Sequence, residues 1–161
     1  MPLSELSSAA GRGSYRRAVP STAAGEPKTP EPDSPSRLRV GIDLVEVEEV
    51  AATLHSRLGA RYLSRIYTSR EIEDCRSQGE VDPVRLAGRF AAKEAAMKAL
   101  RVGDRAVSWR EVEVQRAADG APTLALRGAA AALAAEAGLS QFALSVTHER
   151  TYASAIVVAS A

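Results

Sequence analysis

The chain has 161 residues, 45% of them hydrophobic, which is enough for one compact domain with its own core. Its 21 basic and 20 acidic residues leave a formal charge of +1, so no overall field favours a nucleic acid or a membrane surface as partner. The single cysteine, Cys75, excludes an internal disulfide and cysteine-based zinc motifs, and we expect it to be a buried small hydrophobic residue. No segment approaches the roughly 20 apolar residues of a membrane helix or resembles a secretory signal, so we expect a soluble, cytoplasmic protein.

Residues 1–37 differ in composition from the rest of the chain. They hold six of the eight prolines and seven serines, with almost no aliphatic periodicity. Such a segment buries too little apolar surface to offset the entropy lost on ordering. We therefore expect a disordered Pro/Ser-rich leader at 1–37 and one folded domain at 38–161.

The first half of that domain contains one strand and two short helices. Residues 38–45 are apolar at both odd and even positions, which predicts a strand covered on both faces, with Asp43 as its only acid. A helix is predicted at 50–58. The capping-box sequence Thr-Ser-Arg-Glu at 68–71 predicts the start of another helix, which we expect to run through Ser77.

The longest predicted helix runs from Pro83 to Leu100, with proline in the first turn, where its missing N–H does no harm. The remaining predicted elements are a hairpin of strands 112–117 and 123–126 around Asp119-Gly120, an alanine-rich helix at 128–137, and strands at 142–147 and 152–159. Together they predict an α+β fold: a single domain with a mainly antiparallel sheet packed against one long helix and shorter helices.

Charged residues border the core face of the long helix. At about 100° per residue, Lys93 projects into the apolar arc, Glu94 lies beside it and Lys98 follows one turn later. A carboxylate there, or at Asp43, costs several kcal/mol if it is ionised and unpaired. Two carboxylates around Mg²⁺ avoid that cost, so Asp43 and Glu94 are candidate metal ligands. The apolar residues of the arc, which spans roughly 80°, are Leu86, Phe90, Met97 and Leu100.

Spacing alone leaves alternatives open for these charges. Glu94 could pair with Lys98 along the helix, while Asp43 accepts backbone hydrogen bonds at a strand end. Lys93 could carry its ammonium out of the core along its own aliphatic stem. The residues by themselves restrict the chemistry without naming a reaction.

Two longer motifs carry a resemblance to a known family. Val-Gly-Ile-Asp-Leu-Val-Glu at 40–46 and Leu-Ala-Gly-Arg-Phe-Ala-Ala-Lys-Glu-Ala at 86–95 strongly resemble the holo-acyl-carrier-protein synthase family of 4′-phosphopantetheinyl transferases. Shorter matches follow in order at 61–68, 109–114, 120–123 and 144–148. The resemblance covers the chain from about residue 38 onward and implies the 4′-phosphopantetheinyl transferase fold.

The resemblance also implies an activity. Members of the family transfer the 4′-phosphopantetheine group from coenzyme A to a serine hydroxyl of an apo acyl carrier protein and release 3′,5′-ADP. The carrier serves fatty acid biosynthesis or the synthesis of polyketides or peptides. The implied cofactor is Mg²⁺, and coenzyme A is the implied substrate.

Roles for single residues follow from the same resemblance. It implies that Asp43 and Glu94 bind Mg²⁺ and that Lys98, the family's phosphate-contacting lysine, completes the catalytic group. The other implied cofactor-binding residues are Arg89, Lys93, Gly103 and His148. For His148, a capping or core role is an open alternative.

The family generally forms a homotrimer that holds coenzyme A in clefts between subunits, and we expect the same here. Acyl carrier proteins are acidic and helical, and Arg61 and Arg65 match basic positions that would receive them. Two solvated arginines without a partner are the alternative.

Two departures from the family pattern bear on function. The loop at 101–105 retains one glycine, Gly103, where the family usually has Gly-x-Gly, which predicts the loss of a close backbone approach to phosphate. Glu48 and Glu49 stand where relatives often carry basic residues, which suggests a partner other than a typical fatty-acid carrier. A non-catalytic module that binds coenzyme A or a carrier is therefore the alternative function.

Overall fold

The computed structural model describes residues 38–161, and the leader predicted at 1–37 lies outside the described residues. The elements in chain order are β1 (Arg39–Glu46), α1 (Val47–His55), α2 (Gly59–Ile66), α3 (Ser69–Asp74), β2 (Arg76–Ser77), β3 (Glu80–Val81), α4 (Pro83–Leu100), a 3-10 turn (Trp109–Glu111), β4 (Val112–Arg116), β5 (Pro122–Leu126), α5 (Gly128–Glu136), β6 (Gln141–His148) and β7 (Tyr152–Ser160). Within this described part, no helix has both the length and the apolarity needed to cross a bilayer.

The main sheet has three antiparallel strands in the order β1-β7-β6, so the last strand along the chain lies at its centre. Asp43 of β1 stands opposite Ala155 of β7. The pairs β2–β3 and β4–β5 form separate two-stranded sheets. Helix α4 packs across one face of the main sheet, against β1 and β7. This arrangement confirms the predicted α+β domain with a mainly antiparallel sheet and one long helix.

Helix α4 begins and ends where the sequence predicts. The Asp82 side chain caps it by accepting a hydrogen bond from the Val84 N–H at 2.9 Å, and Pro83 occupies the first turn. The helix ends after Leu100 because Arg101 adopts the left-handed conformation, with φ of 55°. Local signals at both ends therefore account for its length.

Other boundaries differ from the prediction. Helix α1 occupies residues 47–55 rather than 50–58, because the earlier start buries Val47. Helix α2 was not predicted, since its N-cap residue, Leu58, makes no side-chain hydrogen bond of the kind that marks a helix start.

Helix α3 opens with the predicted capping box. The Thr68 hydroxyl accepts from the Glu71 N–H at 3.2 Å, and Glu71 Oε2 accepts from the Thr68 N–H at 2.8 Å. The helix ends at Asp74 rather than the predicted Ser77, because the following residues pair as the β2–β3 hairpin.

Small side chains set the distance between α4 and the sheet. At Gly41 of β1, an added Cβ would lie 1.9 Å from the Ala95 carbonyl oxygen and 2.8 Å from the Ala99 nitrogen. Strand and helix therefore touch backbone to backbone, which a glycine permits. The predicted apolar arc is present, with Leu86 and Leu100 buried, but alanines fill most of the interface. The buried alanines of α4 are Ala87, Ala91, Ala92, Ala95, Ala96 and Ala99.

The opposite face of the sheet is apolar and exposed within the described chain. Val40, Ile42 and Leu44 are between 54% and 64% exposed, and Ile156, which stands opposite Ile42, is 39% exposed. Within residues 38–161, the expectation that β1 is covered on both faces is therefore wrong. Helix α4 covers one face, and the other is open to a further molecule.

Candidate active site

The two predicted metal-binding carboxylates lie on neighbouring elements, Asp43 on β1 and Glu94 on α4. The Lys98 ammonium lies 2.7 Å from Asp43 Oδ1 and donates to the Ile42 carbonyl oxygen at 3.0 Å. The contact at Gly41 brings β1 onto α4 two residues before Asp43. The fold thus brings Asp43, Glu94 and Lys98 together, although 55 residues separate Asp43 from Lys98.

Electrostatic interactions join these three residues. Burial raises the pKa of Glu94, the Asp43 charge raises it further, and the Lys98 charge opposes both effects. The hydrogen bond to Asp43 raises the pKa of Lys98, which keeps the ammonium charged. The ion pair of Lys98 is with Asp43 rather than with Glu94, although the Lys98 charge also acts on Glu94.

The donor set suits magnesium. Two carboxylates face one lysine, so the group carries one uncompensated negative charge when both acids are ionised. Among residues 38–161, no three or more His, Cys, Asp or Glu side chains gather in a metal-binding group. Mg²⁺ typically takes one or two protein carboxylates and completes its shell with phosphate oxygens and water. Asp43 and Glu94 therefore fit Mg²⁺ better than a metal that needs a full protein cage.

A first cleft, here called the Trp109 cleft, opens beside this group and has a volume of about 340 Å³. Glu94, Lys98 and Gly103 lie on its wall, so three predicted site residues share it. Gly103 has φ of 56°, which suits glycine. Its other lining residues are Met97, Val102, Val107 and Trp109. Trp109 lies in a matched motif, but the sequence assigned it no role.

A second cleft, here called the arginine cleft, has a volume of about 300 Å³ and contains the predicted Arg89 and His148. The Arg89 Nε is buried and has no hydrogen-bond partner among the described residues, and its guanidinium meets Asp74 at 3.5 Å. An orphaned donor of this kind suits an anionic ligand. The cleft is further lined by Arg85, Gly88, Val114, Gln115, Arg116, Gly120, Pro122 and Val146. Sequence reasoning gave no role to Arg85 or Arg116.

Lys93 lies in neither cleft. Its side chain is fully buried and its ammonium contacts Glu71 Oε2 at 2.9 Å and the carbonyl oxygens of Trp109 and Val112. The alternative in which the ammonium reaches solvent is therefore wrong. Burial lowers the pKa of Lys93, and the Glu71 carboxylate opposes that shift. All three ammonium protons bond within the protein, which favours a structural role over the predicted cofactor contact.

The predicted carrier-binding residues, Arg61 and Arg65, are exposed one turn apart on α2. Neither forms an ion pair with another residue in the described range. Glu48 and Glu49 are exposed in the first turn of α1. The two helices thus present opposite charges.

Comparisons with known proteins identify the family of the chain. The family model of the 4′-phosphopantetheinyl transferase superfamily matches residues 39–157. A holo-[acyl-carrier-protein] synthase of Koribacter versatilis (strain Ellin345) is 46% identical over 122 residues, covering 75% of this chain and 96% of the relative. That of Gloeobacter violaceus is 42% identical over 119 residues, covering 74% of this chain and 89% of the relative.

Solved structures show the same fold. The crystal structure of a holo-[acyl-carrier-protein] synthase from Neisseria meningitidis is 32% identical, with a TM-score of 0.66, and the match covers 75% of this chain and 96% of that one. An ACPS–CoA complex from Chronobacterium ammoniagenes is 28% identical, with a TM-score of 0.65, over 76% of this chain and 96% of that one. By its sequence and its fold, the chain belongs to the 4′-phosphopantetheinyl transferase superfamily, among the holo-[acyl-carrier-protein] synthases.

Proposed function

We propose that the protein transfers the 4′-phosphopantetheine group from coenzyme A to a serine hydroxyl of an apo acyl carrier protein and releases 3′,5′-ADP. The observation that carries this proposal is the group of Asp43, Glu94 and Lys98, of which Glu94 and Lys98 line the Trp109 cleft. Relatives up to 46% identical are named holo-[acyl-carrier-protein] synthases. The cytoplasmic location expected from the sequence belongs to the same proposal.

The reaction moves a phosphoryl group, so the protein must position the reactants and stabilise charge on the phosphoryl oxygens. Asp43 and Glu94 are the residues that would hold Mg²⁺, and the bound ion supplies electrostatic stabilisation of those oxygens. The described contacts of Lys98 use two of its three ammonium protons. The third proton can therefore form a direct hydrogen bond from Lys98 to a phosphate oxygen of coenzyme A.

The arginine cleft is the proposed site for further phosphate contacts of coenzyme A. Arg89 offers a buried donor that lacks a partner, and His148 stands at the end of β6 on the same wall. Arg85 and Arg116 add positive charge at the rim. We therefore extend the proposed binding set to these two arginines and leave out Lys93.

The proposed assembly is a homotrimer with the substrate held between subunits. The exposed apolar face formed by Val40, Ile42, Leu44 and Ile156 supports an interface, since contiguous apolar surface of this kind marks association sites. Lys98 and Arg89 line different clefts of one chain. In such a trimer, one coenzyme A molecule bound between two subunits would contact the Trp109 cleft of one subunit and the arginine cleft of the other.

The proposed carrier surface combines Arg61 and Arg65 with the acidic start of α1. The arginines suit an acidic helix, while Glu48 and Glu49 would repel one. These opposite charges on α1 and α2 favour a carrier whose docking surface carries both acidic and basic residues.

The test is the intact mass of an apo carrier after incubation with the protein, coenzyme A and Mg²⁺. Fatty-acid, polyketide and peptide carriers form the panel, each beside a variant in which alanine replaces the acceptor serine. We expect one phosphopantetheine mass on at least one carrier, and none with EDTA or without the serine. No gain on any carrier, with a folded protein, would favour the alternative of a non-catalytic module that binds coenzyme A.

A further inference from the structure

Lys93 and Glu71 form a fully buried ion pair, with both side chains 0% exposed and Nζ 2.9 Å from Oε2. Burying two charges costs several kcal/mol for each, so such a pair persists only where hydrogen bonds use the remaining protons and lone pairs. That condition is met by four backbone groups: the carbonyl oxygens of Trp109 (3.0 Å) and Val112 accept from Lys93, and the N–H groups of Thr68 (2.8 Å) and Val114 (2.9 Å) donate to Glu71.

Through hydrogen bonds to backbone groups, the Lys93–Glu71 pair contacts one residue that lines each cleft. Trp109, bonded to Lys93, lines the Trp109 cleft beside Glu94. Val114, bonded to Glu71, lines the arginine cleft beside Arg89. Glu94 and Arg89 both belong to α4, which also carries Lys93. One buried pair therefore connects α4 to a wall residue of each cleft, beside the direct packing of Phe90 on Trp109 at a ring-centroid distance of 5.2 Å.

We propose that Lys93 and Glu71 are positioning residues for the transfer reaction, acting through Trp109 and Val114. The inference rests on the proposed function, in which both clefts bind coenzyme A. Lys93 touches no substrate in this role, because its three protons already bond to Glu71 and to two carbonyl groups. A wall displaced by roughly 1 Å can cost about a hundredfold in rate.

Trp109 is the single tryptophan of the chain, so its fluorescence reports directly on one of these walls. The variant Lys93→Met removes the ammonium and leaves two buried carbonyl groups without a donor. We expect a shifted Trp109 emission, a raised KM for coenzyme A and a kcat/KM about a hundredfold lower than wild type, measured well below the unfolding temperature.

A matched control separates positioning from loss of stability. Leu139 is buried and lines neither cleft, so Leu139→Ala should destabilise the core while leaving Trp109 emission and the KM for coenzyme A at wild-type values. The double variant Lys93→Met/Glu71→Gln carries no unpaired buried charge, so we expect it to regain stability but keep the altered emission and low kcat/KM.

Wild-type emission and kcat/KM in folded Lys93→Met would overturn the proposal. Failure of the double variant to fold would overturn it as well, because the pair would then be required for folding itself. If the wild-type protein transfers nothing, the proposed function fails, and the fluorescence comparison still decides whether Lys93 holds the Trp109 wall.

Discussion

The Lys98 ammonium lies 2.7 Å from Asp43 Oδ1, a bond that ties the last turns of α4 to the middle of β1. The Asp43 side chain is 16% exposed, against 52% for Lys98, so the carboxylate is held inside while the ammonium can reach a ligand. Glu94 lies one turn before Lys98 on the same helix. A phosphate entering from solvent would meet the lysine first.

Asp43→Asn and Glu94→Gln keep the shape of each side chain and remove its charge. We expect each variant to lose transfer activity by at least about a hundredfold, because loss of partners outside the ligand shell alone costs about 10- to 100-fold. The measurement is carrier mass against time over a range of Mg²⁺ concentrations, with circular dichroism to confirm the fold. Glu80→Gln, an exposed change on β3, is the matched control. Wild-type turnover by both site variants would refute the metal assignment.

We expect Gly41→Ala to lower the free energy of unfolding by about 1–3 kcal/mol or more. Its Cβ would lie 1.9 Å from the Ala95 carbonyl oxygen, so β1 must move away from α4. That movement also separates Asp43 from Lys98, and we expect activity to fall with stability. Urea unfolding measures the effect, with the exposed change Ala132→Ser as control. An unchanged unfolding midpoint would contradict the close contact.

Ile42→Asp and Ile156→Asp place a charge on the exposed face of the sheet. If that face joins the copies of a trimer, both variants should run as monomers in light scattering and lose activity. Leu58→Asp is the matched control, since Leu58 is 62% exposed but lies at the start of α2. A wild-type protein that is monomeric and fully active would rule out the proposed assembly.

Arg61→Glu and Arg65→Glu should raise the KM for an acidic carrier while leaving the KM for coenzyme A unchanged. The physical reason is lost attraction, and added salt should weaken the difference between variant and wild type. The double change Glu48→Lys/Glu49→Lys should act in the opposite sense on the same carrier. Equal carrier KM values for all variants would remove α1 and α2 from the docking surface.

Cys75 should resist thiol reagents in the folded protein. Burial raises the pKa of the Cys75 thiol to about 11, so at pH 8 very little of it is the reactive thiolate. We expect negligible labelling by an aromatic disulfide reagent under native conditions and complete labelling in urea. Stoichiometric labelling of native protein within minutes would show that this part of the core opens readily.

The sequence predicted those elements whose ends carry local signals. Helix α4 has Pro83 in its first turn, the signal from which its start was predicted, and its bounds were predicted correctly. Helix α2 has no capping side chain at Leu58 and was missed. The two-residue strands of β2 and β3 are too short to show any periodicity.

The candidate site was predicted in part. The helical wheel placed Lys93 towards the core, but its partner Glu71 lies on α3 and no local pattern pairs the two. The family motifs pointed to Arg89 and Gly103 without showing that they line different clefts. The sequence of an apolar strand is the same whether a helix of its own chain or a second copy of the protein covers it. The exposed face of β1 could therefore not be predicted from the sequence.

The central position of β7 in the sheet determines when, during synthesis of the chain, the active site can form. Strand β1 holds Asp43 but pairs with β7, and the Ser154 hydroxyl donates to the Asp43 carbonyl oxygen across 111 residues. Synthesis makes β1 first and its neighbour in the sheet last, so among the described strands β1 lacks a partner until β7 has emerged from the ribosome. Such distant pairing slows folding. A nascent chain that lacks β7 can therefore carry every proposed metal ligand and phosphate-binding residue and still hold no working site.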